Sequence, residues 1–174
     1  IRGKGGRIHA YVSSNADEVQ GINNRAQLAL AERVLNKRML ERLRGYDLQY
    51  IEQPLELDDL QGHADLRRMQ PVPVALDESA YTLADVGNIV RAGAADVILL
   101  DPHEIGGLWQ TIKAAAIAES AGIPVTLHSG GELGFSQAAY IHLAASIPNM
   151  SVSIDSERHY LSDDVVLVPP VLAD

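Results

Sequence analysis

Polar residues follow five short apolar runs of this chain, at the points where those runs end. In chain order they are Glu52, Asp77, Asp101, His128 and Asp155. Carboxylate oxygens are the ligands that Mg²⁺ and Mn²⁺ prefer in proteins, and an imidazole is the commonest general base near neutral pH. If these groups converge, each carries a desolvation cost unless it is paired or bound to a metal. The pattern predicts a divalent-metal site with a proton-transfer group beside it.

Two pairs within this set suit different chemistry. Glu52 and Asp77 end consecutive apolar runs, and their oxygens suit Mg²⁺ or Mn²⁺ better than zinc. Asp101 and His128 also end consecutive runs, and an aspartate beside an imidazole raises its basicity and fixes its tautomer. Two simpler interpretations stay open. A single acid after a strand is commonly a helix N-cap or a loop residue, and the Asp101–His128 pair can be a structural hydrogen bond.

The apolar runs alternate with longer amphipathic stretches, which is typical of a parallel sheet covered by helices. We predict strands at residues 7–12, 48–51, 72–76, 97–100, 125–127 and 152–154, and helices at residues 26–44, 58–69, 82–92, 108–121 and 136–145. In the third of these helices, Thr82 is the expected N-cap and Gly93 the expected C-terminal stop.

The spacing of the strand ends favours a barrel over an open doubly wound sheet. Successive polar residues lie 24 to 27 positions apart, and neither of the phosphate-binding patterns GxGxxG and GxxxxGK[ST] occurs. A closed barrel of this type has eight strands in about 250 residues. The six strands counted here therefore predict an α/β fold that is a partial (β/α) TIM-like barrel. We expect one incomplete domain over residues 1–174, with an atypical N-terminal part at residues 1–45.

Composition excludes several other classes of protein. The net charge of −9 argues against nucleic-acid binding, which requires a basic face, although a bound dication can still attract an anionic substrate. No apolar run approaches the roughly 18 residues that cross a bilayer, and no signal-peptide pattern occurs. Cysteine is absent, which excludes disulfides and thiolate metal sites. We expect a cytoplasmic protein that binds neither nucleic acid nor membrane.

Four segments of the chain resemble strand ends of the enolase superfamily, in its mandelate racemase and muconate-lactonising branch. They are Tyr50-Ile-Glu-Gln-Pro54, Ala75-Leu-Asp-Glu-Ser79, Asp101-Pro-His-Glu-Ile-Gly-Gly107 and the stretch 118–128, which ends Gly-Ile-Pro-Val-Thr-Leu-His. The resemblance covers about residues 46–168. Residues 7–11 are more weakly similar to the first barrel strand of the family.

The resemblance implies an enzyme that removes the α-proton of a metal-bound carboxylate substrate through an enediolate. Glu52 and Asp77 would be metal ligands for Mg²⁺, with Mn²⁺ as an alternative, and Glu78 could replace Asp77. His128 would be the base or acid, and Asp101 would orient it.

Other residues near these motifs are candidates for contact with the substrate. Glu132, four positions after His128, could hydrogen-bond the substrate or the intermediate, so we count it with the catalytic residues. His103 could touch the substrate from the loop after Asp101, and Asp155 loosely matches a final strand-end acid of the family. Members with a lysine at position 101 are muconate-lactonising enzymes or dipeptide epimerases. Aspartate there points to the racemase and acid-sugar dehydratase types, and we favour a sugar-acid dehydratase, with a racemase or epimerase as the alternative.

The chain departs from the family pattern in its N-terminal part. The family carries a Lys-x-Lys base motif and an Asp-x-Asn first metal ligand on its second and third strands. The three lysines here, Lys4, Lys37 and Lys113, form no such pair, and no Asp-x-Asn occurs. We expect that two βα units and the N-terminal capping domain are missing. A third hypothesis is therefore an inactive truncated barrel that acts only through association, and a homo-oligomer is expected in either case.

Overall fold

The computed structural model describes residues 12–15, 21–128, 130–154 and 156–168. Two compact units divide the chain, Ile1–Met39 and Leu40–Asp174. The longest helix, α1 (Arg25–Leu43), runs across this boundary, within one residue of its predicted bounds. Of the strand predicted at residues 7–12, positions 7–11 lie outside the described residues.

A sheet of four parallel strands forms the second unit. The strands are β1 (Ile51–Glu52), β2 (Val74–Leu76), β3 (Val97–Leu100) and β4 (Val125–Leu127), and their order in the sheet is the order in the chain. Ile51 lies opposite Val74, and Ile98 lies opposite Val125. Parallel strands that neighbour one another in chain order are the arrangement of a (β/α) barrel, so the sheet confirms the predicted fold class over part of such a barrel.

Four helices connect or follow the strands. They are α2 (Leu60–Met69), α3 (Leu83–Ala92), α4 (Leu108–Ser120) and α5 (Gly134–Ser146), and each begins and ends within two residues of its predicted position. Two further single turns are 3₁₀ helices, Arg44–Tyr46 and Glu157–Tyr160. No helix in the described ranges has the length and apolar character to cross a membrane.

The sheet is buried on both faces, because successive strand residues point to opposite sides. Leu76, Ile98 and Leu100 belong to the large core cluster that includes the helices. Ala75, Val97 and Leu99 form a separate cluster on the other face. This two-sided burial explains why the strands are apolar throughout, as expected for a parallel sheet.

The strand predicted at residues 152–154 differs in the structure. No strand is assigned there, and the segment is tied to β4 by single hydrogen bonds. Val125 N–H donates to the Asn149 carbonyl, and the Thr126 hydroxyl donates to the Ser153 carbonyl at 2.9 Å. The Thr126 contact uses a side-chain hydroxyl and not a backbone donor, and the segment lies beside β4 without extending the sheet. The described residues contain four of the six predicted strands.

Candidate active site

Glu52, Asp77 and His128 converge at the carboxyl ends of β1, β2 and β4. Each offers one ligand atom, and these atoms all lie within 4.8 Å of one another. His128 Nδ1 is 2.9 Å from Asp77 Oδ2 and 4.0 Å from Glu52 Oε1. Because β3 separates β2 from β4 in the sheet, the Asp77 and His128 side chains must lean toward each other over the end of β3. Three of the five predicted strand-end residues are therefore brought together.

Asp77 is the most strongly perturbed member of this cluster. Only 4% of its side chain is exposed. The pKa of Asp77 is raised to about 7, chiefly by burial; the nearby His128 acts to lower it, and the carboxylates of Glu78, Glu52 and Glu104 act to raise it. Its Oδ1 atom is buried and accepts no hydrogen bond within the described part of the chain. A buried carboxylate oxygen without a partner, in a site crowded with negative charge, is a place where a cation lowers the free energy.

This donor set fits a divalent cation. Two carboxylates supply hard oxygen ligands, which Mg²⁺ and Mn²⁺ prefer, and an imidazole suits Mn²⁺ better than Mg²⁺. The unpartnered Oδ1 of Asp77 and the carboxylate of Glu52 could both bind such an ion.

Gln53 holds the ends of β1 and β2 in register beside the cluster. Its backbone is left-handed, with φ of 37°. Its side-chain oxygen accepts from the backbone N–H groups of Asp77 and Ser79 at 3.1 and 3.4 Å, and its amide donates to the Ser79 hydroxyl at 2.8 Å. One side chain thereby fixes the loop that carries Asp77.

His63 supports the other side of the loop after β1. It is fully buried on α2. Its Nε2 accepts from Leu55 N–H at 3.2 Å, so Nδ1 carries the proton and donates to the Asp59 carbonyl at 2.9 Å. Burial lowers the pKa of His63, although its hydrogen bond to Asp59 raises it in part. The neutral ring is therefore a structural link.

Asp101 and His103 occupy the loop after β3. Asp101 Oδ1 accepts from His103 N–H at 2.6 Å. No hydrogen bond or ion pair in the described ranges joins Asp101 to His128, whose Nδ1 instead contacts Asp77. The predicted Asp101–His128 pair stays a prediction.

Glu132 and His103 form a second pair at the ends of β4 and β3. Glu132 Oε2 lies 2.8 Å from His103 Nε2, and its Oε1 accepts from Gly130 N–H. Burial acts to raise the pKa of Glu132, but the hydrogen bonds from His103 and Gly130 outweigh it and the pKa is lowered. The hydrogen bond to Glu132 raises the pKa of His103. From the sequence, His103 and Glu132 were expected to contact the substrate separately. In the structure they form one hydrogen-bonded pair.

Glu78 lies outside the cluster. Glu78, the alternative metal ligand, lines a separate pocket of about 310 Å³ with Ser79, Tyr81 and Asp85. This position favours Asp77 as the ligand. Asp155 lies outside the described residues.

Three contributors to the site were not anticipated from the sequence: the bridging role of Gln53, the buried link through His63, and Tyr140. The Tyr140 side chain on α5 is buried, with 4% exposure. Its ring centre is 6.3 Å from that of His103. Gln53 stands inside the quoted motif, and its position directly after Glu52 is the signal that could have identified it.

Comparison with known proteins places this site in a family. The model of the family described as enolase C-terminal domain-like matches residues 29–174. The chain belongs to this family. The predicted resemblance is thereby confirmed, as is the partial TIM-like barrel.

Three relatives show what this enolase C-terminal domain-like chain is similar to. The N-succinylamino acid racemase of Thermus thermophilus is 36% identical over 133 residues, which cover 75% of this chain and 36% of the relative. The muconate lactonizing enzyme of Pseudomonas fluorescens, solved with muconolactone, has a TM-score of 0.74 at 32% identity, covering 80% of this chain and 38% of that one. The L-talarate dehydratase of Polaromonas sp. JS666, solved with Mg and L-glucarate, has a TM-score of 0.58 at 34% identity, covering 67% and 30%.

The relatives of this enolase C-terminal domain-like chain are enzymes, as their names state. The chain spans about a third of the length of each. The chain is thus related to racemases, dehydratases and cycloisomerases.

Proposed function

We propose that this chain carries the metal-ligand and base residues of an enzyme that abstracts the α-proton of a carboxylate substrate, and that the enzyme is a sugar-acid dehydratase. The observation that carries the proposal is the convergence of Glu52, Asp77 and His128. Two carboxylates and an imidazole within a few ångströms are the groups that such a reaction requires.

Glu52 and Asp77 would hold Mg²⁺, with Mn²⁺ as the alternative. When bound, the cation supplies positive charge that offsets the negative charge developing on the substrate carboxylate as the proton leaves. The burial of Asp77 strengthens its interaction with a cation because few water molecules screen it.

His128 is the proposed base. Its ring is partly exposed, with 33% of the side chain accessible, so a substrate can reach it from the mouth of the sheet. In this proposal Asp101, on the neighbouring strand end, orients His128. Proton abstraction at the α-carbon followed by loss of a β-hydroxyl then yields the dehydrated product.

Exchange of the α-proton for deuterium tests this assignment directly. The probes are L-glucarate, chosen because the related dehydratase was solved with it, and a panel of other hexarates in D₂O with Mg²⁺. We expect exchange by the natural protein and a loss of about 10²–10⁴-fold in His128→Asn. The control variant is His142→Asn, because His142 is exposed on α5. Unchanged exchange in His128→Asn would remove His128 from the role.

A racemase or epimerase is the second candidate. The identity of 36% to an N-succinylamino acid racemase favours it. Both reactions begin with the same proton transfer, so product analysis separates them: a dehydratase forms a keto acid, whereas a racemase changes only the configuration of the α-carbon. The same measurement separates both from a barrel that acts only through association, which would exchange no proton.

Self-association is part of this proposal. In the described part of the sheet, β1 and β4 pair with one strand each, whereas every strand of a closed barrel has two neighbours. A homo-oligomer is the proposed assembly, and sedimentation would detect it.

A further inference from the structure

We propose that His103, held by the buried carboxylate of Glu132, is the general acid that protonates the departing β-hydroxyl during dehydration. This inference rests on the proposed function and adds to it the second proton transfer that a dehydration needs. It gives the pair at the ends of β3 and β4 a role distinct from that of His128.

The geometry of the pair is that of a positioned proton donor. Glu132 is 7% exposed, whereas 55% of the His103 side chain is accessible. The buried carboxylate holds Nε2 of the ring at 2.8 Å, and no described residue hydrogen-bonds Nδ1. A carboxylate that binds one ring nitrogen fixes the tautomer and stabilises the imidazolium, while the other nitrogen can give its proton to a substrate.

Three further contacts restrict the motion of this pair. Asp101 Oδ1 accepts from His103 N–H, which fixes the backbone under the ring. Gly130 N–H donates to Glu132 Oε1 at 3.2 Å. The Tyr140 ring lies tilted at 43° to the imidazole, with its centre 6.3 Å away. Residues that follow β3 and β4 and a residue of α5 therefore all contact the His103–Glu132 pair. An ion pair on an exposed surface has no need of so many supporting contacts.

The pair also lies beside the proposed base. His128 N–H donates to the Leu100 carbonyl at 3.2 Å, which joins the end of β4 to the end of β3. His103 follows Leu100 by three residues. The two histidines thus follow adjoining strand ends, so that one bound substrate could contact both.

The charges that face His103 favour its acid form. Asp101, Glu104 and Glu132 are the acidic groups that act on it, and the neutral Tyr140 packs beside it. The hydrogen bond to Glu132 is the largest effect that raises the pKa of His103. A raised pKa favours the protonated form, which is the form that a general acid needs.

Atoms and electrons balance in the proposed elimination of water. The α-C–H bond breaks as its proton goes to His128, and its electron pair forms the carbon–carbon double bond. The β-C–O bond breaks, and its electron pair leaves with the hydroxyl, which takes a proton from His103. The products are water and an enol that rearranges to the keto acid, with His103 neutral and His128 protonated. No oxidant or reductant is consumed.

A substrate whose leaving group needs no proton provides the sharpest test. The hexarate that exchanges its α-proton is compared with its analogue in which fluorine replaces the β-hydroxyl, since fluoride leaves without protonation. We expect His103→Gln to lower the rate of water loss by about 10²–10⁴-fold while fluoride loss and α-proton exchange continue. The control is His142→Gln, which lies outside the site. Glu132→Gln should move the alkaline limb of kcat for water loss to lower pH.

The outcomes separate this inference from the function on which it rests. Absence of α-proton exchange in the natural protein overturns both. Exchange together with undiminished water loss in His103→Gln overturns the general-acid role alone, and so does an equal fall of water loss and fluoride loss. Independently of activity, NMR titration of His103 should show a pKa that falls in Glu132→Gln, and an unchanged pKa would contradict the pairing.

Discussion

At the scale of the residue, Gln53 joins two strand ends from a backbone conformation that few side chains adopt. The left-handed φ turns its side chain toward the loop after β2, where it meets one hydroxyl and two backbone N–H groups. Truncating the Gln53 side chain would leave several polar groups without partners. Buried polar groups without partners lower the free energy of unfolding.

We predict that Gln53→Ala lowers the free energy of unfolding by about 1–3 kcal/mol. Urea denaturation measures it. Gln61→Ala is the matched control, because Gln61 is exposed on α2 and its side chain donates to the Asp65 carboxylate at the surface. Its effect on the free energy of unfolding should be a few tenths of that of Gln53→Ala. Equal effects of the two substitutions would show that the Gln53 bridge contributes nothing particular.

The buried His63 makes stability depend on pH. Because burial lowers its pKa in the folded state, the unfolded chain binds the proton more strongly. The contribution of His63 to stability is therefore complete above the pKa of the unfolded state, about 6.5. It is lost as the pH falls through that value toward the lower pKa of the folded state. We expect His63→Gln to lose less stability between pH 7 and pH 5 than the natural protein does. Chemical denaturation at each pH checks this, and an identical slope in both proteins would contradict it.

Residue types at the strand ends were predictable, whereas their partners were not. The position of Glu52, Asp77 and His128 after apolar runs was enough to predict a cluster, because parallel strands end on one side of a sheet. Which carboxylate meets the imidazole depends on the curvature of the sheet and on rotamers, which a linear pattern does not contain. Asp101 was expected beside His128, and in the structure its carboxylate bonds the His103 backbone instead.

At the scale of the element, α3 shows why helix limits were predicted well. Thr82 accepts from Asp85 N–H at 3.2 Å, and Gly93 ends the helix with φ of 62°. Both residues have local effects that depend little on the rest of the molecule. The segment 152–154 shows the opposite case, because pairing in a sheet depends on distant backbone.

We expect Thr82→Ala to reduce stability by about 0.5–2 kcal/mol, since the helix loses its N-cap acceptor. Thr82→Ser keeps the hydroxyl and should retain most of the stability. Thermal denaturation of the three proteins measures the difference. If serine is as destabilising as alanine, the hydroxyl is not the stabilising group.

At the scale of the whole molecule, a bound cation would couple the ends of β1 and β2. A ligand that binds only the folded state raises the melting temperature. We predict a rise of several degrees with millimolar Mg²⁺, which Glu52→Gln abolishes and His128→Asn retains if His128 serves as base alone. Differential scanning fluorimetry measures both. Loss of the shift in His128→Asn would assign the imidazole to the metal, and no shift in the natural protein would reject the site.

The matching order of strands in the chain and in the sheet has a consequence for how the protein folds. Each strand pairs with the one before it, and paired residues lie only 22 to 27 positions apart. Every step in the assembly of the described sheet thus closes a loop of similar, modest entropy, and none of its pairings joins strands far apart in the chain. During synthesis, each βα unit can add to the edge left by its predecessor as it emerges from the ribosome, and Asp77 can acquire its histidine partner only after the last of these additions.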